Sequence, residues 1–350
     1  MASSLSVGKI GFGLMGMTWR AVQTPDEQAF AAMKTALETG CTFWDSGEFY
    51  GTPEPTLNLD LLKRYFDKYP QDAPKIFLSV KGGMNLQTFS PDGSEEGVRK
   101  NVENILQHLG PTKKLDLFQC GRVDQKTPIE TTIKALAQLV KEGKISHIGL
   151  SECSAETIRR AYAVHPITAV EIEYSLWSTE AETNGVLETC KELGISVIAY
   201  SPLGRGFLTG ELKKVRTFSS SAEDSAYITK TFLSSQPEDL PENDLRRRFD
   251  RFQPENWGNN IQLVDQLSAF AKKRGCTPAQ LALAWVLAQG DNIIPIPGAT
   301  SKERVAENAK ANEIQLSKEE LAGIRDILNK VEVKGGRYNK QLDAKFTLWG

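Results

Sequence analysis

The stretch TPDEQAFAAMKTALETGCTFWDS, residues 24–46, carries the pattern on which the fold turns. Thr24, Pro25 and Glu27 are spaced as an N-cap, a first-turn proline and a residue able to close a capping box. The helix they predict runs to about Leu37 and stops at Gly40, a residue suited to a left-handed cap. From Cys41 the chain turns apolar, and Cys41 to Asp45 reads as a short strand with a carboxylate at its end. A helix followed at once by a buried strand is the unit from which α/β folds are built.

The unit recurs. Apolar runs at 7–13, 41–45, 76–80, 115–120, 145–150, 169–172, 196–200 and 292–296 read as eight strands buried on both faces, as parallel sheets require. Between them, Pro128 opens a helix ending near Gly143, Ser154 can cap another, and Gly194 closes a third. Thr277-Pro278 opens an apolar helix, and Ser317 starts a last helix outside the repeat. Eight such units predict one (β/α)8 TIM barrel domain over residues 1–350. From 203 to 258 the pattern lapses into Ser-rich, acidic and basic stretches. That segment is expected to be a loop insertion after strand 7, with one or two short helices, covering cofactor and substrate on the catalytic face. A doubly wound sheet is the structural alternative, because Gly11 to Gly16 spells GxGxxG. The next helix signal comes only at Thr24, so the glycines read better as a tight turn over a barrel mouth.

Composition excludes several functions. With 42 Lys and Arg against 44 Asp and Glu, the net charge of −2 gives no basis for a nucleic-acid or acidic-membrane partner. The Arg246–Arg248 run lies between Asp244 and Asp250 and reads as a solvated face. No window reaches the roughly 18 apolar residues of a membrane span, and residues 1–7 do not resemble a secretory signal. Five scattered cysteines form no CxxC pair, so reduced thiols and a cytoplasmic location are expected. Three histidines lack metal-ligand spacing, and no metal site is expected.

Barrel chemistry uses the C-terminal ends of strands. Those positions here are Gly13, Asp45, Lys81, Gly121, Ser151, Glu171 or Glu173, Tyr200 and Pro297. Asp45 and Lys81 leave adjacent strands and can pair, which makes burial of each tolerable. Tyr50 lies five residues past Asp45, and a nearby ammonium would lower its pKa from the usual value of about 10. An ordinary buried ion pair beside a core tyrosine fits the same spacing.

Taken together the motifs resemble the aldo-keto reductases. Phe43 to Gly51 is similar to that family's Asp-to-Tyr signature, and Ser79-Val80-Lys81 to its lysine strand. The stretch 145–151 resembles its strand-5 motif, 199–210 its cofactor loop, and 294–301 with Arg304, Glu307 and Asn308 its adenosine-phosphate end. The stretches 13–20, 47–51, 79–83, 115–120 and 337–342 are most similar to fungal pyridoxal reductases. The resemblance implies NADPH-dependent reduction of an aldehyde or ketone, pyridoxal first, with Tyr50 as proton donor, Lys81 stabilising the phenolate and Asp45 holding Lys81. It implies that Ser151, Glu152 and Glu171 hold the nicotinamide carboxamide and Tyr200 stacks on the ring. Gly13, Leu14 and Met15 would border the cofactor. Ser201, Pro202, Leu203, Gly204, Gly206 and Leu208 would follow the pyrophosphate, and Gly298, Thr300, Ser301, Arg304, Glu307 and Asn308 would receive the adenosine phosphate. Trp19, Glu48 and Gly121 would face the substrate.

Two departures qualify that transfer. Gly121 stands where the family usually has His, leaving space for a bulkier aldehyde, with Glu48 or a water supplying the polar contact. Glu152 and Glu171 stand where it commonly has Asn and Gln, and an ionised carboxylate cannot donate to an amide carbonyl. Two other functions share the fold: a cofactor-binding regulatory subunit resembling potassium-channel β subunits, and a Schiff-base aldolase.

Overall fold

The computed structural model describes residues 5–213, 240, 244–339 and 348–349. Eight parallel strands alternate with helices: β1 (Phe12–Gly13), β2 (Phe43–Gly47), β3 (Phe77–Gly82), β4 (Leu117–Cys120), β5 (His147–Ser151), β6 (Ala169–Glu173), β7 (Ser196–Tyr200) and β8 (Ile293–Pro295). Each pairs with its neighbours in chain order. The ring closes where Gly13 bridges Gly298 and the Gly11 amide donates to the Pro295 carbonyl at 2.9 Å. Glycine is required at this seam, since a Cβ on Gly13 would lie 2.8 Å from the Ile296 carbonyl oxygen. This is the (β/α)8 barrel expected, and the GxGxxG segment runs through its first strand into a single helical turn at Met15–Thr18.

The helices α1 (Asp26–Glu38), α2 (Leu57–Lys68), α3 (Glu95–Leu109), α4 (Ile129–Lys141), α5 (Ala155–Val164) and α6 (Val186–Leu193) follow the first six strands. Ser154 caps α5 by accepting from the Thr157 amide, and Gly194 ends α6 in the left-handed region. The capping box expected at Thr24 does not form: Pro25 is the N-cap of α1, no side chain caps it, and the Thr24 hydroxyl is buried without a partner. The Thr24 amide donates instead to the Met17 carbonyl, which turns the residue away from the helix end.

After β7 the chain makes a 3-10 segment at Gly204–Thr209 and shorter ones at 211–213, 245–248 and 250–252. Residues 214–239 and 241–243 of the expected insertion, including Ser219–Ser221, lie outside the described residues. A 21-residue helix α7 (Pro254–Arg274) starts before the expected end of that insertion. Its first turns hold Gly258, Asn259 and Asn260, poor helix formers that conceal it in the sequence. The structure uses one of them: buried Asn260 exchanges hydrogen bonds of 2.9 and 2.8 Å with the Lys334 backbone, fastening the C-terminal segment to α7. Then follow α8 (Pro278–Leu287), with a complete Thr277–Gln280 capping box, α9 (Lys302–Ala309) after β8, and α10 (Lys318–Lys330) outside the repeat. No described helix is long and apolar enough to cross a membrane.

Candidate active site

Strand alternation decides which residues meet inside the barrel. Phe43, Leu117, Ala169, Ile198, Ile294 and Ile296 form an apolar plug, with Phe77 packed against it. Two residues further along, the same faces present Asp45, Ser79, Gln119 and Glu171, and beyond them Lys81 and Glu173. A polar layer thus rests on an apolar floor at the strands' C-terminal ends.

Lys81 is its centre. Nζ lies 2.6 Å from Asp45 Oδ2 and 2.7 Å from Glu171 Oε2, with all three side chains buried. Gln119 Nε2 donates to Ser79 Oγ at 2.6 Å and Glu171 Oε2 at 2.9 Å, linking β3, β4 and β6. The Tyr50 ring is buried with its centroid 5.4 Å from Lys81 Nζ. The expected lowering of the Tyr50 pKa is not found. Burial raises it well above the ordinary phenol value, Lys81 opposes this, and Asp45 and Glu171 add to it. Tyr50 is therefore held as a phenol. Burial alone would discharge Lys81, but Asp45 and Glu171 outweigh it and keep the ammonium charged.

Trp19 packs on Tyr50 at 5.6 Å and on Phe49 and Phe89 at 6.2 and 5.9 Å, walling the site with aromatic rings. The space expected at Gly121 is bounded more tightly than its lack of a side chain suggests. A Cβ there would lie 3.2 Å from Phe49 Cζ and 3.3 Å from the Gly82 carbonyl oxygen. Glu48 is turned to α3, where Oε1 accepts from Asn104 Nδ2 at 2.7 Å and Oε2 is buried without a partner. Burial pushes its pKa up to about 7.

The residues assigned to the carboxamide have separate fates. Ser151 Oγ is buried with no partner, as a hydroxyl awaiting a polar ligand would be. Glu152 is fully buried and clamped by Arg337, whose Nη1 and Nη2 donate to its carboxylate at 2.9 and 3.1 Å. Glu171 belongs to the Lys81 cluster. Glu173 is pushed up by burial, yet Arg205, Arg337 and Arg251 outweigh this and hold its pKa below the ordinary carboxylate range. Arg337 and Gln119 were absent from the sequence-level site: they act through contacts between distant segments that no local spacing reports.

Tyr200 ends β7 half-buried, and Ser201 and Arg205 beyond it adopt left-handed backbone at φ 49° and 56°. Glu152 does likewise at φ 51°. Non-glycine residues in this region store strain that surrounding structure must hold, and such strain collects at ligand sites. Pro202, Gly204 and Leu208 are buried in this loop, while Leu203 and Gly206 line its partly open side. Across the mouth, Leu14 is buried beside exposed Met15 and half-exposed Gly13. Ser301 caps α9, Gln28 donates to the Thr300 carbonyl at 2.7 Å, Arg304 is exposed in the first turn, Gly298 is exposed, Glu307 is half-buried and Asn308 is buried. A free hydroxyl, a glycine-bearing loop and a helix N-terminus with a guanidinium fit the amide, pyrophosphate and phosphate of a nicotinamide nucleotide. Arg246, expected on a solvated face, pairs with Asp244 at 2.6 Å and donates to the Arg205 carbonyl at 3.1 Å, so it braces that loop. Among the described residues no cluster of metal-ligating side chains occurs.

Comparison with known proteins agrees with this geometry. The profile of the aldo/keto reductase family matches residues 9–329. The chain is 46% identical to a probable pyridoxal reductase 2 of Schizosaccharomyces pombe, over 99% of each chain. It is 39% identical to an NADP(+) aldo-keto reductase of the same organism, over 95% of this chain and 92% of the relative. Among solved structures, a glycerol dehydrogenase of Gluconobacter oxydans superposes with a TM-score of 0.77 at 23% identity, covering 96% of each chain.

Proposed function

This chain belongs to the aldo/keto reductase family, and on that premise we propose that it reduces an aldehyde with Tyr50 as the proton donor and pyridoxal as the substrate. It is an NADP-dependent oxidoreductase of the carbonyl-reducing type. The observation that carries the assignment is the buried Lys81 ammonium, paired with Asp45 at 2.6 Å and set beside the Tyr50 phenol.

When bound, NADPH supplies the hydride. Ser151 would hold its carboxamide, Tyr200 would face its ring, the 201–208 loop would follow the pyrophosphate, and Ser301 and Arg304 would take the 2′-phosphate. As negative charge grows on the substrate oxygen, Tyr50 passes its proton there, and the nearby ammonium stabilises the phenolate left behind. A phenol with a raised pKa keeps its proton until that charge appears, which suits a donor better than a base. Asp45 fixes Lys81, and Gln119 fixes the carboxylates around it. The aromatic wall of Trp19, Phe49 and Phe89 suits a flat ring-bearing aldehyde, in keeping with the name of the 46% relative.

An ammonium held charged against Asp45 is no nucleophile, which argues against Schiff-base chemistry at Lys81. A regulatory subunit would turn over slowly. Loss of NADPH absorbance with pyridoxal, and with NADH in parallel, tests the proposal. Tyr50→Phe should lose about 100-fold or more in kcat, and full activity in that variant would remove Tyr50 from the mechanism.

A further inference from the structure

We propose that Glu171 is a proton-held switch on Lys81: protonated, it leaves the ammonium to Asp45 and Tyr50, and ionised, it draws that ammonium away from the phenol. This deepens the reading of Tyr50 as proton donor and rests on it.

The argument begins with charge. Asp45 Oδ2 and Glu171 Oε2 approach Lys81 Nζ to 2.6 and 2.7 Å, and all three side chains are at most 5% exposed. One cation facing two carboxylates leaves a surplus negative charge where water cannot solvate it. Binding one proton is the least costly relief. Asp45 draws on a second donor in Ser79, at 3.3 Å, and Gln119 reaches both acids, at 3.5 Å for Asp45 and 2.9 Å for Glu171. On its other sides Glu171 meets Ser151 across β5 and Ile198 across β7, neither of which carries charge. The adjoining carboxylates are committed elsewhere, Glu152 to Arg337 and Glu173 to Arg205. Burial first, and then the Asp45 charge, push the Glu171 carboxyl up to about 8 against the pull of Lys81.

The consequence falls on Tyr50. Asp45 and Glu171 both disfavour its phenolate, and Lys81 alone favours it. While Glu171 keeps its proton, one of the two opposing charges is absent and the phenolate formed in reduction is easier to reach. The proton on the product oxygen comes from Tyr50, the Glu171 proton stays on its carboxyl, and Tyr50 is recharged from solvent after release.

Glu171→Gln is an uncharged isostere that keeps both hydrogen-bonding roles, so it tests the switch directly. With saturating NADPH and pyridoxal, wild-type kcat should hold through neutral pH and fall, by about tenfold for each pKa unit added to Tyr50, to a lower plateau above the Glu171 titration. The variant should stay level through that range. In the ligand-free protein, a carboxyl raised by folding loses its contribution to stability as pH rises from the unfolded value of about 4.3 to about 8 and is level above it, so the wild-type melting temperature should fall with pH up to about 8 and that of Glu171→Gln should fall less. Infrared spectra of the Glu48→Gln protein, in which the other raised carboxyl is removed, should show a protonated-carboxyl C=O band at pH 7 that disappears on alkaline titration. A kcat break at the same pH in wild type and Glu171→Gln, or no such band, overturns the proposal. Full activity of Tyr50→Phe would instead overturn the donor reading while leaving the ligand-free titration in place.

Discussion

At Glu152 a single guanidinium makes burial possible. Arg337 comes from the C-terminal segment, 185 residues away, and satisfies both carboxylate oxygens in a site with almost no solvent access. Removing one partner of such a pair strands a charge. Arg337→Met should therefore cost about 3–5 kcal/mol in urea unfolding, and adding Glu152→Gln should recover much of that loss. Equal losses in the single and double variants would mean that Arg337 stabilises through packing alone. Glu48 offers a second test. Its carboxyl is raised to about 7 by burial, so folding takes up a proton between the unfolded value of about 4.3 and 7, and stability declines with rising pH across that range before levelling off. Glu48→Gln should flatten the melting temperature between about pH 5 and 7, and an unchanged slope would assign the titration elsewhere.

Two threonines preceding Pro look alike in sequence and behave differently as element ends. Thr277 accepts from the Gln280 amide, and the Gln280 side chain returns to the Thr277 amide, closing the box before α8. Thr24 precedes Pro25 in the same way, yet its hydroxyl bonds to nothing. Thr277→Ala should cost about 1 kcal/mol, whereas Thr24→Ala should cost less, since it removes a buried hydroxyl that has no partner. Chemical denaturation of the two variants side by side checks both. A larger loss at Thr24 would restore the capping role that its sequence suggests. What separates them is the chain before the cap: the Thr24 amide is held by the Met17 carbonyl, an interaction set by the turn above β1.

At the scale of the whole molecule, function depends on barrel closure. The seam between β8 and β1 is glycine-lined, and Gly13 and Gly298, which are proposed to border the cofactor, bridge across it. A side chain at Gly13 meets backbone at 2.8 Å, which cannot rotate away. Gly13→Val should destabilise the fold by about 1–3 kcal/mol and weaken NADPH binding measured by fluorescence quenching. Unchanged stability with intact binding would show that the seam is looser than its geometry indicates. The C-terminal segment is fastened to α7 and to the loop after β7, through Asn260 to the Lys334 carbonyl and Arg205 to the Arg337 carbonyl.

The sequence alone determined the eight strands, their order and the polar positions at their ends, because strand period and turn residues are local properties of the chain. Asp45, Tyr50 and Lys81 were legible for the same reason, each lying just past an apolar run. Only the tertiary structure decided what those groups experience. It placed Glu171 on Lys81 and Arg337 on Glu152, filled the neighbourhood of Gly121 with Phe49, and raised the Tyr50 phenol where the sequence suggested a lowering. Desolvation and charge pairing depend on distance in space, and residues 90 or 185 positions apart carry no record of that distance in the order of the chain.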